Sequence, residues 1–210
     1  MIDPDLYKLH KTLLIIADEI DRICRQNSIK YSLYEGTLIG AVRHQGFIPW
    51  DDDLDIAMLR DDYTRFIEFC KKDLGDNFNL ITYENTKDYG YNFAKITLKG
   101  TRVKEGNYIK EKLSEIWVDV FPLDNVPASN LKKSIQKIRN YFYIKLLEEK
   151  CDGISKNEQN KKKILFFKFL GIINKIVPVS YIKHKNQLNC IKYNKLRTEY
   201  ISSMSSSYGY

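Results

Sequence analysis

The sequence predicts an α/β (α+β) protein in which helices and strands share the first 125 residues and helices alone follow. Apolar residues recur at helical spacing between Leu6 and Ile23. Several later segments alternate apolar and polar residues with the period of two that is typical of half-buried strands. After Pro127 the helical spacing returns in two long segments, and Pro178 separates them from a third.

The elements of the first part follow from these patterns in chain order. The first helix rests on apolar residues that step by three or four: Leu6, Leu9, Leu13, Ile16, Ile20 and Ile23. A short strand over 30–37 runs into Gly36 and Thr37, and a short helix with the sequence TLIGAVR is expected to begin at that glycine. The remaining predictions are a loop over 44–49, a strand over 53–59, a helix over 60–74, and strands over 78–83, 92–100 and 115–123.

The second part is predicted to consist of helices over 128–150 and 161–176 and another beyond Pro178. Charge divides the chain at the same place. Residues 1–125 hold 17 Lys and Arg against 22 Asp and Glu, whereas residues 126–210 hold 17 against 5. We therefore predict two regions, 1–125 and a basic helical 126–210, and the acidic first region argues against nucleic acid as a ligand.

Composition favours a folded protein of the cytoplasm. Of the 210 residues, 43% are hydrophobic and 13% aromatic, enough for a core. The N-terminal segment MIDPDLYKLH has no apolar signal region, and Lys168 and Lys175 interrupt the longest apolar stretch. The four cysteines are far apart, without a C-x-x-C pair, so reduced thiols are expected.

The segment GFIPWDDDLDIAM, residues 46–58, concentrates carboxylates at the start of a predicted strand. An acidic surface turn is the simplest interpretation, but the alternation with apolar residues places Asp53 and Asp55 on one face of the strand. A calcium loop is excluded because Ile56 occupies the position that requires glycine. Two carboxylates on one face suit Mg²⁺ (or Mn²⁺), which also binds phosphate oxygens.

Two further features fit a site that handles phosphate. Gly36 and Thr37, at a strand end that opens a helix, can bring backbone N–H groups and a hydroxyl to phosphate oxygens. Asp119 lies between valines in a later strand, where metal binding with the earlier carboxylates competes with a carboxylate satisfied by a backbone group or an arginine. Arg43 and Lys95 are weaker candidates for contacts with the phosphate donor, because a residue in such a position is more often an ordinary solvated or ion-paired one.

These motifs resemble the LicD family of bacterial phosphocholine transferases, which includes the fukutin and fukutin-related transferases. The resemblance is carried by EGTLIGAVRHQGFIPWDDDLDIAMLRDDYTRF, residues 35–66, and by WVDVFPLD, residues 117–124. It extends over residues 9–125 and implies a nucleotidyltransferase-like mixed sheet with flanking helices. The C-terminal region is shorter than is usual in the family.

The resemblance implies transfer of a phospho-alcohol, most typically phosphocholine from CDP-choline, to a sugar hydroxyl of a cell-surface glycan precursor of the lipopolysaccharide or teichoic acid kind. CMP would leave. It also implies catalytic and metal-binding roles for Asp53, Asp55 and Asp119, with Asp51 and Asp52 positioning the strand. Two alternatives stay open: a true nucleotidyltransferase that releases pyrophosphate, and a non-catalytic module that binds a membrane surface.

The expected partners are a CDP-alcohol donor and a lipid-linked or cell-surface glycan acceptor, without nucleic acid. The segment KKKILFFKFLGIINKIV, residues 161–177, supports two hypotheses. Its apolar residues could pack on the domain, or its lysines could hold it on the inner leaflet of the membrane, where a lipid-linked acceptor would be presented. The second hypothesis would make the protein peripheral at the inner face of the membrane.

Overall fold

A computed structural model describes residues 3–105 and 112–204 and confirms the predicted α/β class. Six α-helices lie in this part of the chain. Their bounds are Pro4–Gln26 (α1), Glu35–His44 (α2), Arg60–Asp73 (α3), Asn130–Cys151 (α4), Lys161–Ile176 (α5) and Val179–Cys190 (α6).

Six strands form a mixed sheet. They are Ser32–Leu33 (β1), Asp55–Leu59 (β2), Phe78–Ile81 (β3), Ala94–Glu105 (β4), Lys112–Val126 (β5) and Tyr200–Ser202 (β6). The order is β1-β2-β5-β4-β3, and β6 pairs with the end of β5. The pairs β1–β2, β3–β4 and β5–β6 are antiparallel. This order places β5, which carries Asp119, directly beside β2, which begins with Asp55.

Several boundaries differ from the sequence-based expectations. The strand predicted over 30–37 shrinks to two residues because α2 begins at Glu35, before the glycine at which it was expected to open. Strand β5 continues past Pro122 to Val126, and strand β6 and a short 3₁₀ helix at Ile191–Tyr193 were not predicted. Segments of two or three residues are too short to leave a periodic pattern in the sequence.

The chain divides into two compact units. The first comprises Met1–Ile81, Phe93–Val103 and Ser114–Pro122, and the second comprises Thr82–Asn92, Lys104–Leu113 and Leu123–Tyr210. The predicted division into residues 1–125 and 126–210 stays a prediction.

The core of the first unit explains why its carboxylates share a face. Helices α1 and α3 pack on the sheet through fully or nearly fully buried side chains, among them Leu13, Ile16, Ile20, Phe66, Ile56, Met58, Val118 and Val120. Successive side chains of a strand point to opposite faces. Because Ile56 and Val118 are in this core, Asp55 and Asp119 are directed to the other face of the sheet.

The second unit is held together by α4, α5 and α6. Leu146 and Leu147 of α4, Leu170 of α5 and Ile182 of α6 form its main apolar cluster. The four cysteines all lie in the described part of the chain, are buried and form no disulfide bond there, in agreement with the prediction of reduced thiols.

Candidate active site

The acidic segment lies where the loop after α2 enters β2. Asp55 is the first residue of β2 and only 7% exposed. The backbone N–H of Asp119 donates to the carbonyl oxygen of Leu54 at 3.1 Å, which ties β5 to the start of β2. The structure therefore brings Asp55 and Asp119 to neighbouring positions on one face of the sheet, as the sequence predicts.

The start of α2 fixes the backbone of Asp55 from the other side. The backbone N–H of Asp55 donates to Thr37 Oγ1 at 2.8 Å, and this bond is buried. The backbone N–H of Tyr34 donates to the carbonyl oxygen of Asp55 at 3.0 Å. Thr37 thus has an anchoring contact that the sequence did not indicate, and its hydroxyl hydrogen is still available for an acceptor such as a phosphate oxygen. Its assignment to the donor site stays a prediction.

Gly36 lies directly against the acidic segment. A Cβ atom at this position would be 2.8 Å from Asp51 Oδ2, closer than side chains normally approach. Its neighbour Glu35 has a φ of 42°, in the left-handed region that costs energy for a residue other than glycine. The turn from β1 into α2 therefore combines a close approach with local strain, a combination found at many functional sites.

Crowding of carboxylates raises the pKa of two of them. The pKa of Asp55 rises to about 8, first because of burial and then because of the negative charges of Asp53 and Asp119. The pKa of Asp53 rises to about 6, first through partial desolvation and then through the charges of Asp51 and Asp52. Since Asp53 is solvent-exposed as a residue, water screens it more, and Asp55 is the more strongly perturbed group.

The carboxylates suit a divalent cation. One oxygen from each of Asp51, Asp52 and Asp53 can be chosen so that all lie within 4.8 Å of one another. Carboxylate oxygens are the preferred ligands of Mg²⁺, and a bound cation would relieve the repulsion among these carboxylates. Asp51 and Asp52, which were predicted from the sequence to position the strand, thus join the candidate ligands. The predicted set of Asp53, Asp55 and Asp119 stays a prediction.

His10 supports the acidic loop and was not identified from the sequence. It is buried, its Nε2 donates to the carbonyl oxygen of Asp51 at 2.7 Å, and its ring stacks on Phe47 with the centroids 4.0 Å apart. The available signal was its helical spacing with Leu6 and Leu13, which places this histidine on the inner face of α1.

The two predicted basic contacts have different surroundings. Lys95 is buried in β4, with its Nζ 3.8 Å from the ring centroid of Trp117. Trp117 is two residues before Asp119 on β5 and so shares its face of the sheet. Arg43 is exposed in the last turn of α2. Their roles as donor contacts stay predictions.

An aromatic group lies beside the carboxylates on the same face. Phe121 follows Asp119 by two residues on β5. Its ring centroid is 5.6 Å from that of Tyr34 and 4.5 Å from that of Phe93. Aromatic faces next to an acidic site can hold a cationic group of a ligand. These three aromatic residues were not predicted from the sequence to be part of the site.

Comparison with known proteins identifies the family. The family model described as LicD/FKTN/FKRP, nucleotidyltransferase domain, matches residues 28–145. The chain belongs to the LicD family. This confirms the resemblance inferred from the motifs, and with it the prediction of a LicD-type transferase.

One LicD relative extends over nearly the whole chain. The lipopolysaccharide cholinephosphotransferase LicD of Haemophilus influenzae is 34% identical over 202 residues, which cover 93% of this chain and 72% of the relative. Two shorter matches are uncharacterised proteins of Rickettsia typhi and Rickettsia prowazekii. They are 46% identical over 55 residues and 47% identical over 51, and cover 18% and 19% of those proteins.

Proposed function

We propose that this LicD-family protein transfers phosphocholine from CDP-choline to a hydroxyl of a cell-surface glycan precursor and releases CMP. The observation that carries the proposal is the group of carboxylates around buried Asp55, in a chain 34% identical to a lipopolysaccharide cholinephosphotransferase. Without a cationic ligand such a group destabilises the fold, because burial and the repulsion between carboxylates raise the pKa of Asp55 and Asp53.

Asp53, Asp55 and Asp119 would hold Mg²⁺ or Mn²⁺, with Asp51 and Asp52 close by. When bound, the cation would neutralise charge on the diphosphate of the donor and on the leaving CMP. Thr37, which fixes the backbone of Asp55, would keep this carboxylate in place through the reaction. Precise positioning of this kind accounts for much of the catalysis of phosphoryl transfer.

Asp119 is our candidate for the general base. It would accept the proton of the acceptor hydroxyl while the hydroxyl oxygen forms a bond to the phosphorus of phosphocholine. The bond from phosphorus to the oxygen of CMP breaks in the same displacement, so CMP leaves with that electron pair. Asp119 is half-buried on β5, directly beside β2, so its carboxylate lies next to the strand that begins with Asp55.

The aromatic group favours choline as the alcohol. Phe121 and Tyr34 are both half-buried and stand beside the carboxylates, so an incoming ligand can reach them. The trimethylammonium group of choline is attracted to aromatic faces, an interaction of about 0.5–2 kcal/mol. Phospho-alcohols without a positive charge would gain nothing from it.

A true nucleotidyltransferase is the second candidate, favoured by the description of the matching family model as a nucleotidyltransferase domain. The same carboxylates would serve, but attack would occur at the α-phosphate of a nucleoside triphosphate and pyrophosphate would leave. A third candidate, a non-catalytic module that binds a membrane surface, requires none of the carboxylates.

One experiment separates the three. The purified protein is incubated with Mg²⁺, a lipopolysaccharide acceptor, and either CDP-choline, CDP-ethanolamine, CDP-ribitol or CTP with phosphocholine. We expect CMP from CDP-choline, loss of this activity in Asp55→Asn, and retention in Asp18→Asn, an exposed control on α1. Pyrophosphate as the product would establish the second candidate. Equal activity of the wild type and Asp55→Asn would reject the site.

A further inference from the structure

Helix α5 packs on its unit through only one face. Asn160 caps its start by accepting from the backbone N–H groups of Lys162 and Lys163 at 3.0 and 3.3 Å. Phe167 and Leu170 are buried, the latter against α4 and α6. The hypothesis that this helix packs on the domain is confirmed for these residues, which leaves the opposite face to be explained.

That opposite face carries a second apolar stripe. Leu165, Phe169, Ile172 and Ile176 are 70%, 54%, 60% and 80% exposed. Their steps of four, three and four residues place them within an arc of about 60°. The arc is centred roughly opposite to Phe167 and Leu170. We call these four residues the α5 stripe. An exposed continuous stripe of large aliphatic and aromatic side chains is unusual on a protein surface. It marks a site that binds an apolar partner, such as a membrane or another protein surface.

Positive charge surrounds the α5 stripe. Helix α5 contains five lysines and no acidic residue. Lys163 forms an ion pair with Glu158 at 2.6 Å, while Lys161, Lys168 and Lys175 are exposed. At 100° per residue these three lie along one side of the stripe, and Lys162 lies on the other. An apolar stripe bordered by lysines is complementary to a surface that is apolar within and negatively charged outside.

The first half of α4 has a similar pattern in the same unit. Leu131, Ile135 and Ile138 are exposed at spacings of four and three residues. Among the described helices none is individually long and apolar enough to cross a membrane. Lys161–Ile176 and Val179–Tyr193 have the required length and composition together, but they are bent by 108° relative to each other.

From these observations we infer that α5 binds the surface of an anionic lipid bilayer. The α5 stripe would lie among the headgroups and the upper acyl chains, with the helix axis along the surface, and the lysines would contact lipid phosphates. Each lysine near such a surface strengthens binding about fivefold at moderate salt. The inference does not depend on the proposed reaction, because it uses none of the residues of the acidic site.

The test is sedimentation of the full chain with vesicles of phosphatidylcholine that contain increasing fractions of phosphatidylglycerol, at low and high salt. We expect binding to rise with phosphatidylglycerol and to fall with salt. The double variant Phe169→Ser, Ile172→Ser should bind at least tenfold more weakly, because two large apolar side chains are no longer buried in the bilayer. Both positions are exposed, so the thermal midpoint of the variant should stay that of the wild type.

Leu196→Ser is the matched control. Leu196 is 56% exposed, lies between Lys195 and Arg197 in the same unit, and is outside the α5 stripe. It should bind vesicles as the wild type does. Vesicle binding by the double variant equal to that of the control would overturn the inference. Absence of binding by the wild type, with self-association that only the double variant loses, would also overturn it and assign the stripe to a second copy of the chain.

Discussion

Replacing Asp55 with asparagine should stabilise the metal-free protein at neutral and alkaline pH, although the same change should abolish activity. Asp55 is 7% exposed and its pKa is raised to about 8, whereas the ordinary value is 3.8. Its N–H and C=O are held by Thr37 and Tyr34, so the side chain cannot move out into water without disturbing α2. Asparagine has nearly the same shape and cannot ionise.

The size of the expected stabilisation follows from the shift in the pKa of Asp55. Each pKa unit corresponds to about 1.4 kcal/mol. At pH 7 the raised pKa of Asp55 therefore lowers the free energy of unfolding by about 4 kcal/mol, compared with a protein in which this carboxyl had its ordinary pKa. The asparagine amide is still buried and recovers only part of this, about 2–4 kcal/mol. In a chain of 210 residues, 1 kcal/mol raises the thermal midpoint by about 2–4 °C. Asp55→Asn should therefore raise it by at least about 4 °C.

The pH dependence of the free energy of unfolding tests whether Asp55 destabilises the folded protein. A raised pKa means that the folded state binds more protons than the unfolded state between the ordinary value of 3.8 and the raised value of about 8. The free energy of unfolding of the wild type should therefore decrease as the pH rises through this window. The advantage of Asp55→Asn over the wild type should be small at pH 4 and largest at pH 8.

Thermal unfolding followed by circular dichroism in EDTA, from pH 4 to pH 8, measures this difference. Asp18→Asn, an exposed change on α1, should show no such dependence. Addition of Mg²⁺ at pH 8 should raise the midpoint of the wild type and leave that of Asp55→Asn nearly unchanged, because a ligand stabilises only the folded state that binds it. A variant less stable than the wild type at pH 8, or an advantage independent of pH, would refute the reasoning.

Three other predictions test the rest of the site. Asp119→Asn should reduce turnover by at least about a hundredfold with little change in donor affinity, measured by kinetics and by CDP-choline titration, and a loss of affinity alone would contradict the base assignment. Gly40→Ala should lower the thermal midpoint more than Gly36→Ala. The new Cβ at position 40 would lie 2.6 Å from the backbone oxygen of Gly46, whereas the new Cβ at position 36 would lie 2.8 Å from the carboxylate of Asp51, a side chain that can move away. Equal midpoints of the two variants would contradict this reasoning. Phe121→Leu should weaken the preference for CDP-choline over uncharged CDP-alcohols by about 3–30-fold, and an unchanged preference would remove the aromatic group from the choline site.

The elements with strong periodicity could be predicted from the sequence, and the turns between them could not. The spacing of Leu13, Ile16 and Ile20 indicated α1, and the structure buries all three. The alternation around Asp55 indicated β2, with the apolar residues facing the core. In contrast, α2 starts one residue earlier than predicted, at Glu35, whose left-handed backbone conformation no residue propensity favours.

The features of the site that could not be predicted from the sequence are tertiary contacts. Nothing in the local sequence shows that His10 reaches the carbonyl of Asp51, forty-one residues away, or that Thr37 accepts from the backbone of Asp55. The same holds for the neighbourhood of Tyr34 and Phe121, which depends on the adjacency of α2, β2 and β5. Periodicity assigns a residue to a face, but only strand order decides which residues share that face.

The opposite faces of β2 and β5 explain how the fold tolerates its carboxylates without a cation. Ile56, Met58, Val118 and Val120 are between 0% and 1% exposed, and each contributes about 1.5–3 kcal/mol by burial. This burial stabilises the same two strands whose other face carries the buried carboxyl of Asp55. The two strands therefore combine a stabilising face with a destabilised one, and a cation bound to the carboxylates would offset the part of the cost that comes from their mutual repulsion.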